Sequence, residues 1–389
     1  MKQVTENGSR PRRLLLCLDG VPHKLIEAAR HRGLFDSFGP PSRLLSPFPT
    51  MTNVALSAML GATPPAGYES LYFDRSAREL RGGIRKYIGR RTPDKIPSSY
   101  MDDLDYQEPL PFEFLIYVAP ESIWRADMQK FRERFRLAPA NRDYFAFLKA
   151  TDGLLHSQGP ARLAIALESL DKILREIQEH CGDETEIVMF SDHGMNLEPN
   201  QRVPLKSTLA QRGFPVVIPA FGLCSYVAIY CEEQVIPDVA RATAEVEGVD
   251  FAVYKDAQAV VVESERGRAR IENLKHVTET GDPLELGQWG GESKTDKEWF
   301  EMTASHKYPD AIPNIYKALF TPRVQHTADV LVSLKDGYYF GWSPFGRLVN
   351  LAATHGNALQ SSSNAFLMST HRQFPDYVRA DDAKALLRE

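Results

Sequence analysis

Residues 13–19, RLLLCLD, run apolar without interruption into an aspartate and then Gly20. A strand with one face in water alternates apolar and polar side chains. An uninterrupted run of this length fits a strand buried on both faces, as in a parallel sheet covered by helices. The pattern recurs as YFAFLKATD from Tyr144 to Asp152 and as EIVMFSDHG from Glu186 to Gly194. Between these two, Leu163, Ala166, Leu167, Leu170, Ile173, Leu174 and Ile177 keep a helical spacing that predicts a helix closing near Gly182. Strand, helix and strand with short connections form a βαβ unit. The expected fold is therefore α/β: a three-layer α/β/α sandwich with a mostly parallel central sheet and an inserted cap subdomain.

Beyond about Asn200 the rhythm changes. Residues 223–231 (LCSYVAIYC) and 249–262 read as strands of a more mixed, antiparallel layer, and 276–314 are polar with little periodicity. The segment from Asp329, DVLVSLKDGYYFGW, reads as a strand and turn of the resumed core, and AFLMST near the end as another strand. The expected division is a flexible N-terminus at 1–10, a discontinuous core at 11–200 and 321–389, and a cap at 201–320.

A chain of 389 residues with 26 prolines and 25 glycines is neither coiled coil, collagen-like rod nor helical solenoid. A formal charge of −5 supplies no general attraction to a nucleic-acid polymer. Four scattered cysteines, Cys17, Cys181, Cys224 and Cys231, make neither a disulfide framework nor a thiolate zinc site. The polar N-terminus lacks the pattern of a secretory signal, and no apolar run has the length of a transmembrane helix, so the expected location is cytoplasmic. Eight bases between Arg75 and Lys95 read as a solvated basic face, with contact to an anionic substrate or an acidic membrane surface as the functional alternative. The aromatic stretches 112–118 and 124–135 read as core and surface helix, or as the lining of an apolar leaving-group pocket.

Three acids stand where the buried runs end: Asp19, Asp152 and Asp192. Ligands collect at the carboxyl ends of strands in open α/β sheets, although an Asp-Gly after a strand is more often a turn. His156 follows Asp152, His193 and Gly194 follow Asp192, and His355 lies in ATHGNA. Carboxylates and imidazoles without thiols suit zinc or a similar divalent metal. In SPFPTMTNVALSAMLG, Thr50 and Thr52 lie near the start of a helix. There a hydroxyl is a helix cap or, if activated, a nucleophile beside an anion-binding N-terminus. His23, three residues after Gly20, reads as a polar residue near a helix start, with reach into the site as the alternative; His31, His180, His276, His306, His326 and His371 lack an acidic partner at ligand spacing and are read as non-catalytic.

Five pieces, LCLDG at 16–20, FPTMTN at 48–53, DGLLHSQG at 152–159, SDHG at 191–194 and THGN at 354–357, resemble in order and spacing the alkaline phosphatase superfamily, in particular its nucleotide pyrophosphatase/phosphodiesterase-like branch. The resemblance implies an alkaline phosphatase-like core and two divalent ions, usually zinc. It implies Asp19, Thr52, Asp192 and His193 on the first ion, and Asp152, His156 and His355 on the second. It further implies Thr52 as nucleophile, with Thr50 as fallback, and Asn53 as a substrate contact. The implied reaction is hydrolysis of a small phosphate ester, a diester or pyrophosphate, through a phosphothreonine intermediate. A phosphomonoesterase, a phosphonate hydrolase and a degenerate binding or scaffold member are the alternatives. No Cys-x-Pro-x-Arg segment is present, which disfavours a sulfatase.

Overall fold

The run at 13–19 forms the fully buried strand Leu14–Leu18 in a computed structural model describing residues 13–83, 105–107, 118–138, 143–182, 184–289, 293–321, 323–341 and 351–388. This strand belongs to a seven-stranded sheet. The order is Tyr377–Arg379, Ser42–Leu45, Asn364–Ser369, Ile187–Phe190, Leu14–Leu18, Tyr144–Leu148 and Asp105–Gln107. The last four strands are mutually parallel, as are the first two; Asn364–Ser369 runs antiparallel to both its neighbours. The sheet is thus mostly parallel, as expected.

Alternate residues of the central strands enter separate cores, because successive side chains point to opposite faces. Leu14, Leu16, Leu18, Tyr144, Ala146, Leu148, Ile187 and Met189 pack against helices His23–His31, Pro120–Leu137, Ala150–Gln158 and Pro160–Cys181. Leu15, Cys17, Phe145, Phe147, Val188 and Phe190 pack against helices Thr52–Leu60 and Ala380–Arg388. Both faces are covered, which is why the strands read as continuous apolar runs. The helix Pro160–Cys181 buries all seven apolar positions picked out by spacing and stops at Gly182, whose φ of 74° suits glycine. The crossover from Tyr144–Leu148 to Ile187–Phe190 passes over Leu14–Leu18, which sits between them.

A second sheet is antiparallel throughout, in the order Tyr226–Ile229, Val330–Leu334, Val249–Asp256, Ala259–Ser264, Gly267–Glu272 and Lys275–Gly281. Helices Asp296–Thr303 and Ala311–Phe320 cover one face, and Leu205–Gln211 and Ile236–Ala244 the other. One expectation is corrected here. Val330–Leu334, assigned to the resumed core, is an interior strand of this second sheet, and Tyr338–Gly341 pairs with Gln201–Arg202 and Leu223–Cys224. Among the described residues, the chain re-enters the first sheet at Asn364–Ser369. VLVSL is buried on both faces in its antiparallel sheet, so its pattern equals that of a parallel core strand. The polar stretch 276–314 also holds more structure than its composition suggests. Thr295 and Glu298 form a reciprocal capping box that starts Asp296–Thr303.

Of the basic run, Arg75 pairs with Asp329, Arg78 with Glu232 at 3.0 Å, and Arg81 with Asp74 at 3.1 Å and Glu79 at 2.9 Å. The positions from Arg85 to Lys95, the segment 1–10 and most of the aromatic stretch 112–118 lie outside the described residues. Trp124, Met128, Phe131 and Phe135 are core residues of Pro120–Leu137. Among the described residues, no helix is long and apolar enough to cross a membrane.

The two-faced core sets a stability test. Phe145 is 1% exposed and packs on Phe190, with ring centroids 6.2 Å apart, whereas Leu80 is 48% exposed. Phe145→Ala should lower the unfolding free energy by about 3–5 kcal/mol in urea titration, and Leu80→Ala by less than about 0.5 kcal/mol.

Candidate active site

Three adjacent parallel strands deliver the acids to one edge of the sheet. Asp19 directly follows Leu14–Leu18, and Asp192 lies two residues beyond Ile187–Phe190. Asp152 falls in the first turn of Ala150–Gln158, a helix that starts almost at once after Tyr144–Leu148. His156 stands one turn later on the same helix, so its Nε2 comes within 3.2 Å of Asp152 Oδ1. His193 follows Asp192 in the chain, and His355 arrives from the segment between the second sheet and Asn364–Ser369. All six residues are at most 4% exposed.

Two overlapping groups have the compactness of a metal site: Asp19, Asp192 and His193, and Asp152, His193 and His355. Within each, one ligand atom per residue lies within 4.8 Å of the others. His193 belongs to both, and its ring stacks on that of His355 with centroids 3.8 Å apart and planes 16° apart. Thr52, the first residue of Thr52–Leu60, places its Oγ1 3.3 Å from Asp19 Oδ1 and 3.2 Å from His193 Nε2. The structure thus gathers Asp19, Thr52, Asp152, His156, Asp192, His193 and His355 into one cluster.

Backbone carbonyls fix the three imidazoles. Nδ1 of His156 lies 2.7 Å from Ala353 O, that of His193 2.9 Å from Gly194 O, and that of His355 2.8 Å from Thr50 O. A carbonyl oxygen only accepts, so each Nδ1 carries a proton, and in the neutral rings of His193 and His355 the lone pair lies at Nε2. Those lone pairs face carboxylates. His193 Nε2 is 3.6 Å from Asp19 Oδ1 and 3.4 Å from Asp192 Oδ2; His355 Nε2 is 3.7 Å from Asp152 Oδ1. Acceptor opposing acceptor in a buried place is stable only with positive charge between them.

The ionisation behaviour agrees. Burial lowers His193 to about 4 and His355 to about 3, keeping both neutral at neutral pH. Burial, reinforced by the charges of Asp192 and Asp152, pushes Asp19 well above the usual carboxylate range. Burial likewise raises Asp192 to about 6, although the Gly20 N–H donates to its Oδ1 at 3.0 Å. Asp192 Oδ2 accepts no hydrogen bond from the described residues. Asp152 differs: burial opposes its ionisation, but His156, His355 and His193 hold it below the usual carboxylate range. Asp19 and Asp192 that resist losing protons, an orphaned buried oxygen and aimed imidazole lone pairs together fit divalent cations. The glycine beside them is required: Gly20 has φ +67°, and a Cβ there would lie 2.9 Å from Asp152 Oδ1 and 3.3 Å from His193 Cε1.

The two threonines separate cleanly. Thr50 is fully buried; its Oγ1 donates to Asn357 O at 3.0 Å and accepts from Gly356 N at 3.0 Å, tying the segment before Thr52 to the His355 loop. Thr52 remains partly accessible, at a helix start whose cap forms no side-chain hydrogen bond. Asn53 is exposed beside it, and its backbone oxygen accepts from Ser57 Oγ at 2.8 Å. His306 meets Glu285 O and His326 stacks on Tyr72, both outside the two ligand groups. His23 is buried at the start of His23–His31, its Nε2 3.0 Å from Pro41 O.

Lys149 escaped the sequence reading. The Leu18–Leu148 register continues it to a place beside Asp19, whose carboxyl it draws downward. The signal was present in FLKATD, one residue beyond a buried strand. Ser46 was also missed: its hydroxyl donates to the Asp192 carbonyl.

The sequence of residues 70–356 matches the family model of type I phosphodiesterase / nucleotide pyrophosphatase. This span holds Asp152, His156, Asp192, His193 and His355; Asp19 and Thr52 precede it and join it through the geometry above. Phosphonoacetate hydrolase from Sinorhizobium meliloti shares the fold at TM-score 0.54 and 16% identity, over 99% of this chain and 98% of that one. Human ectonucleotide pyrophosphatase / phosphodiesterase 5 shares it at TM-score 0.54 and 12% identity, over 97% and 93%. The murine form gives TM-score 0.52 and 13% identity, over 97% and 94%. No curated protein sequence matches the chain. With well over half of its residues under the family model and a carboxylate–imidazole cluster fit for divalent cations, the chain belongs to the type I phosphodiesterase / nucleotide pyrophosphatase family of metal-dependent phosphoester hydrolases.

Proposed function

We propose that this enzyme cleaves a phosphodiester or pyrophosphate bond with Thr52 as the nucleophile. Asp19, Thr52, Asp192 and His193 would hold one divalent cation, and Asp152, His156 and His355 the other, both zinc in this reading. The observation that carries it is the Thr52 hydroxyl, 3.3 Å from Asp19 Oδ1 and 3.2 Å from His193 Nε2, beside carboxylate and imidazole lone pairs. Bound cations would supply positive charge against the attacking and leaving oxygens of an in-line displacement and ease ionisation of the hydroxyl.

The chain's own residues do the rest. Asp19 Oδ1 orients the Thr52 hydroxyl, leaving an oxygen lone pair for phosphorus. The first backbone N–H groups of Thr52–Leu60 have no intrahelical acceptor and point toward the non-bridging phosphoryl oxygens, where the helix dipole favours negative charge. A bond forms between Thr52 Oγ and phosphorus as the bond to the leaving oxygen breaks; the leaving group departs as an alcohol or phosphate after taking up a proton. Water then forms a new bond to phosphorus, the Thr52 ester breaks, and the hydroxyl regains its proton. One water is consumed per bond cleaved.

A phosphonate bearing a second anionic group is the alternative substrate. Lys149 beside Asp19 and the whole-chain likeness to phosphonoacetate hydrolase support that reading. A panel of aryl phosphodiester, phosphomonoester, phosphonate and sulfate substrates with zinc supplied separates the two. Highest kcat/KM on the diester is expected, and highest on the phosphonate would favour the alternative.

Thr52→Ala should lower kcat on the best substrate by roughly 10³-fold or more while the protein still binds metal through its acids and imidazoles. Full activity in that variant would remove Thr52 from the reaction. Metal analysis of protein prepared without chelators should give about two divalent ions per chain.

The pH dependence has a definite sign. In metal-free protein the Asp192 pKa of about 6 exceeds its unfolded value, so its stabilising contribution is present in acid and lost as pH rises through about 6. A cation must displace that proton. Zinc should therefore raise the melting temperature of chelator-treated protein more at neutral pH than at about pH 5, as read by differential scanning fluorimetry.

A further inference from the structure

The segment Ser46–Met51 carries the chain from the strand Ser42–Leu45 to Thr52. It is held by a residue from the far side of the sequence. Asn314, on the helix Ala311–Phe320 that covers the second sheet, accepts a hydrogen bond from Phe48 N at 2.7 Å through its Oδ1. Its Nδ2 donates to Ser46 O at 3.2 Å. Asn314 is 7% exposed, so both bonds lie in the interior.

The helix bearing Asn314 is itself clamped to the first sheet. Asp310, at its N-cap, has a φ of 52°, a left-handed conformation that a non-glycine residue keeps only when its surroundings impose it. Arg379 supplies that constraint: its Nε and Nη2 donate to the two Asp310 carboxylate oxygens, each at 2.7 Å, and its Nη1 donates to Asp296. Arg379 is also the register partner of Leu45, the residue before Ser46. The connections form a closed ring: Leu45 to Ser46 and Phe48 by the chain, to Asn314 by two hydrogen bonds, to Asp310 by the helix, to Arg379 by a bidentate ion pair, and back to Leu45 through the sheet.

We propose that Asn314 is a positioning residue for the nucleophile: through Phe48 and Ser46 it fixes where Thr52 stands relative to Asp19 and His193, so the second subdomain sets the geometry of the reaction. The inference rests on the reading of Thr52 as nucleophile. Neither Asn314 nor Arg379 touches the acids or imidazoles of the site. Their effect reaches the chemistry through placement alone, and a displacement of about 1 Å in a reacting group can lower a rate by about 100-fold.

The test uses the full-length, zinc-loaded enzyme and an aryl phosphodiester. Asn314→Leu, which removes both hydrogen bonds, should lower kcat by about 10- to 100-fold with KM and metal content unchanged. Asn314→Asp keeps the acceptor for Phe48 N and sets a carboxyl oxygen against Ser46 O in place of the donor, so its kcat should lie between wild type and Asn314→Leu. It also serves as the test if Asn314→Leu does not fold. Tyr308→Phe is the control. It removes a buried hydroxyl that contacts Asp250 and Arg266 but keeps the ring that packs on Phe251, and so on Phe48 behind it, and should lower stability with kcat unchanged. A folded Asn314 variant with wild-type kcat would overturn the proposal, as would a kcat loss that Tyr308→Phe reproduces or that follows metal content. Thr52→Ala in the same assay keeps the two readings apart. Activity in Thr52→Ala refutes the nucleophile; inactivity there with full activity in Asn314→Leu refutes only the positioning role.

Discussion

Three carboxylates that repel one another share the carboxyl edge of a sheet, and the structure is arranged around that conflict. The strand Leu14–Leu18 pairs in parallel with Tyr144–Leu148 on one side and Ile187–Phe190 on the other. That register forces Asp19, Asp152 and Asp192 together in a place water barely reaches. Buried like charges of this kind persist only with a compensating cation. Imidazole Nε2 atoms aimed at the same carboxylates by carbonyl-bound Nδ1 groups make the requirement sharper.

The segment that leads into Thr52 is then fixed from three directions. Thr50 ties it to the His355 loop, Ser46 to the Asp192 carbonyl, and Asn314 to the second subdomain. Asn314 engages backbone groups of this short irregular stretch, while Ser46 and Thr50 anchor it through their own hydroxyls, which is how a loop can present a hydroxyl with the precision of a helix or strand. The only side chain of the stretch left partly open at the helix start is Thr52, while Thr50 is consumed by structure.

Much of this was legible in the residues. Uninterrupted runs such as LLLCL gave both-face burial, and each metal-ligand candidate sits within a few residues of such a run or of a glycine turn. The same logic misplaced Val330–Leu334, because a continuous apolar run reports burial on two faces and says nothing about which strand lies alongside. Asn314 was invisible for a related reason, and Lys149 showed only as a base one residue beyond a buried run. Asn314 acts on Phe48 across 266 positions of sequence, and Lys149 gains its meaning only from the register that sets it beside Asp19. Long-range pairing is a property of the folded sheet order, and no local spacing encodes it.

The central claim is that a bond forms between Thr52 and phosphorus. Mass spectrometry of enzyme quenched in acid during turnover of an aryl phosphodiester reads this directly. The account predicts the mass of the transferred phosphoryl fragment on the peptide containing Thr52, with fragmentation assigning it to Thr52. The fragment on another residue, or turnover by the zinc-loaded enzyme without any covalent adduct under conditions where its breakdown is rate-limiting, would contradict it.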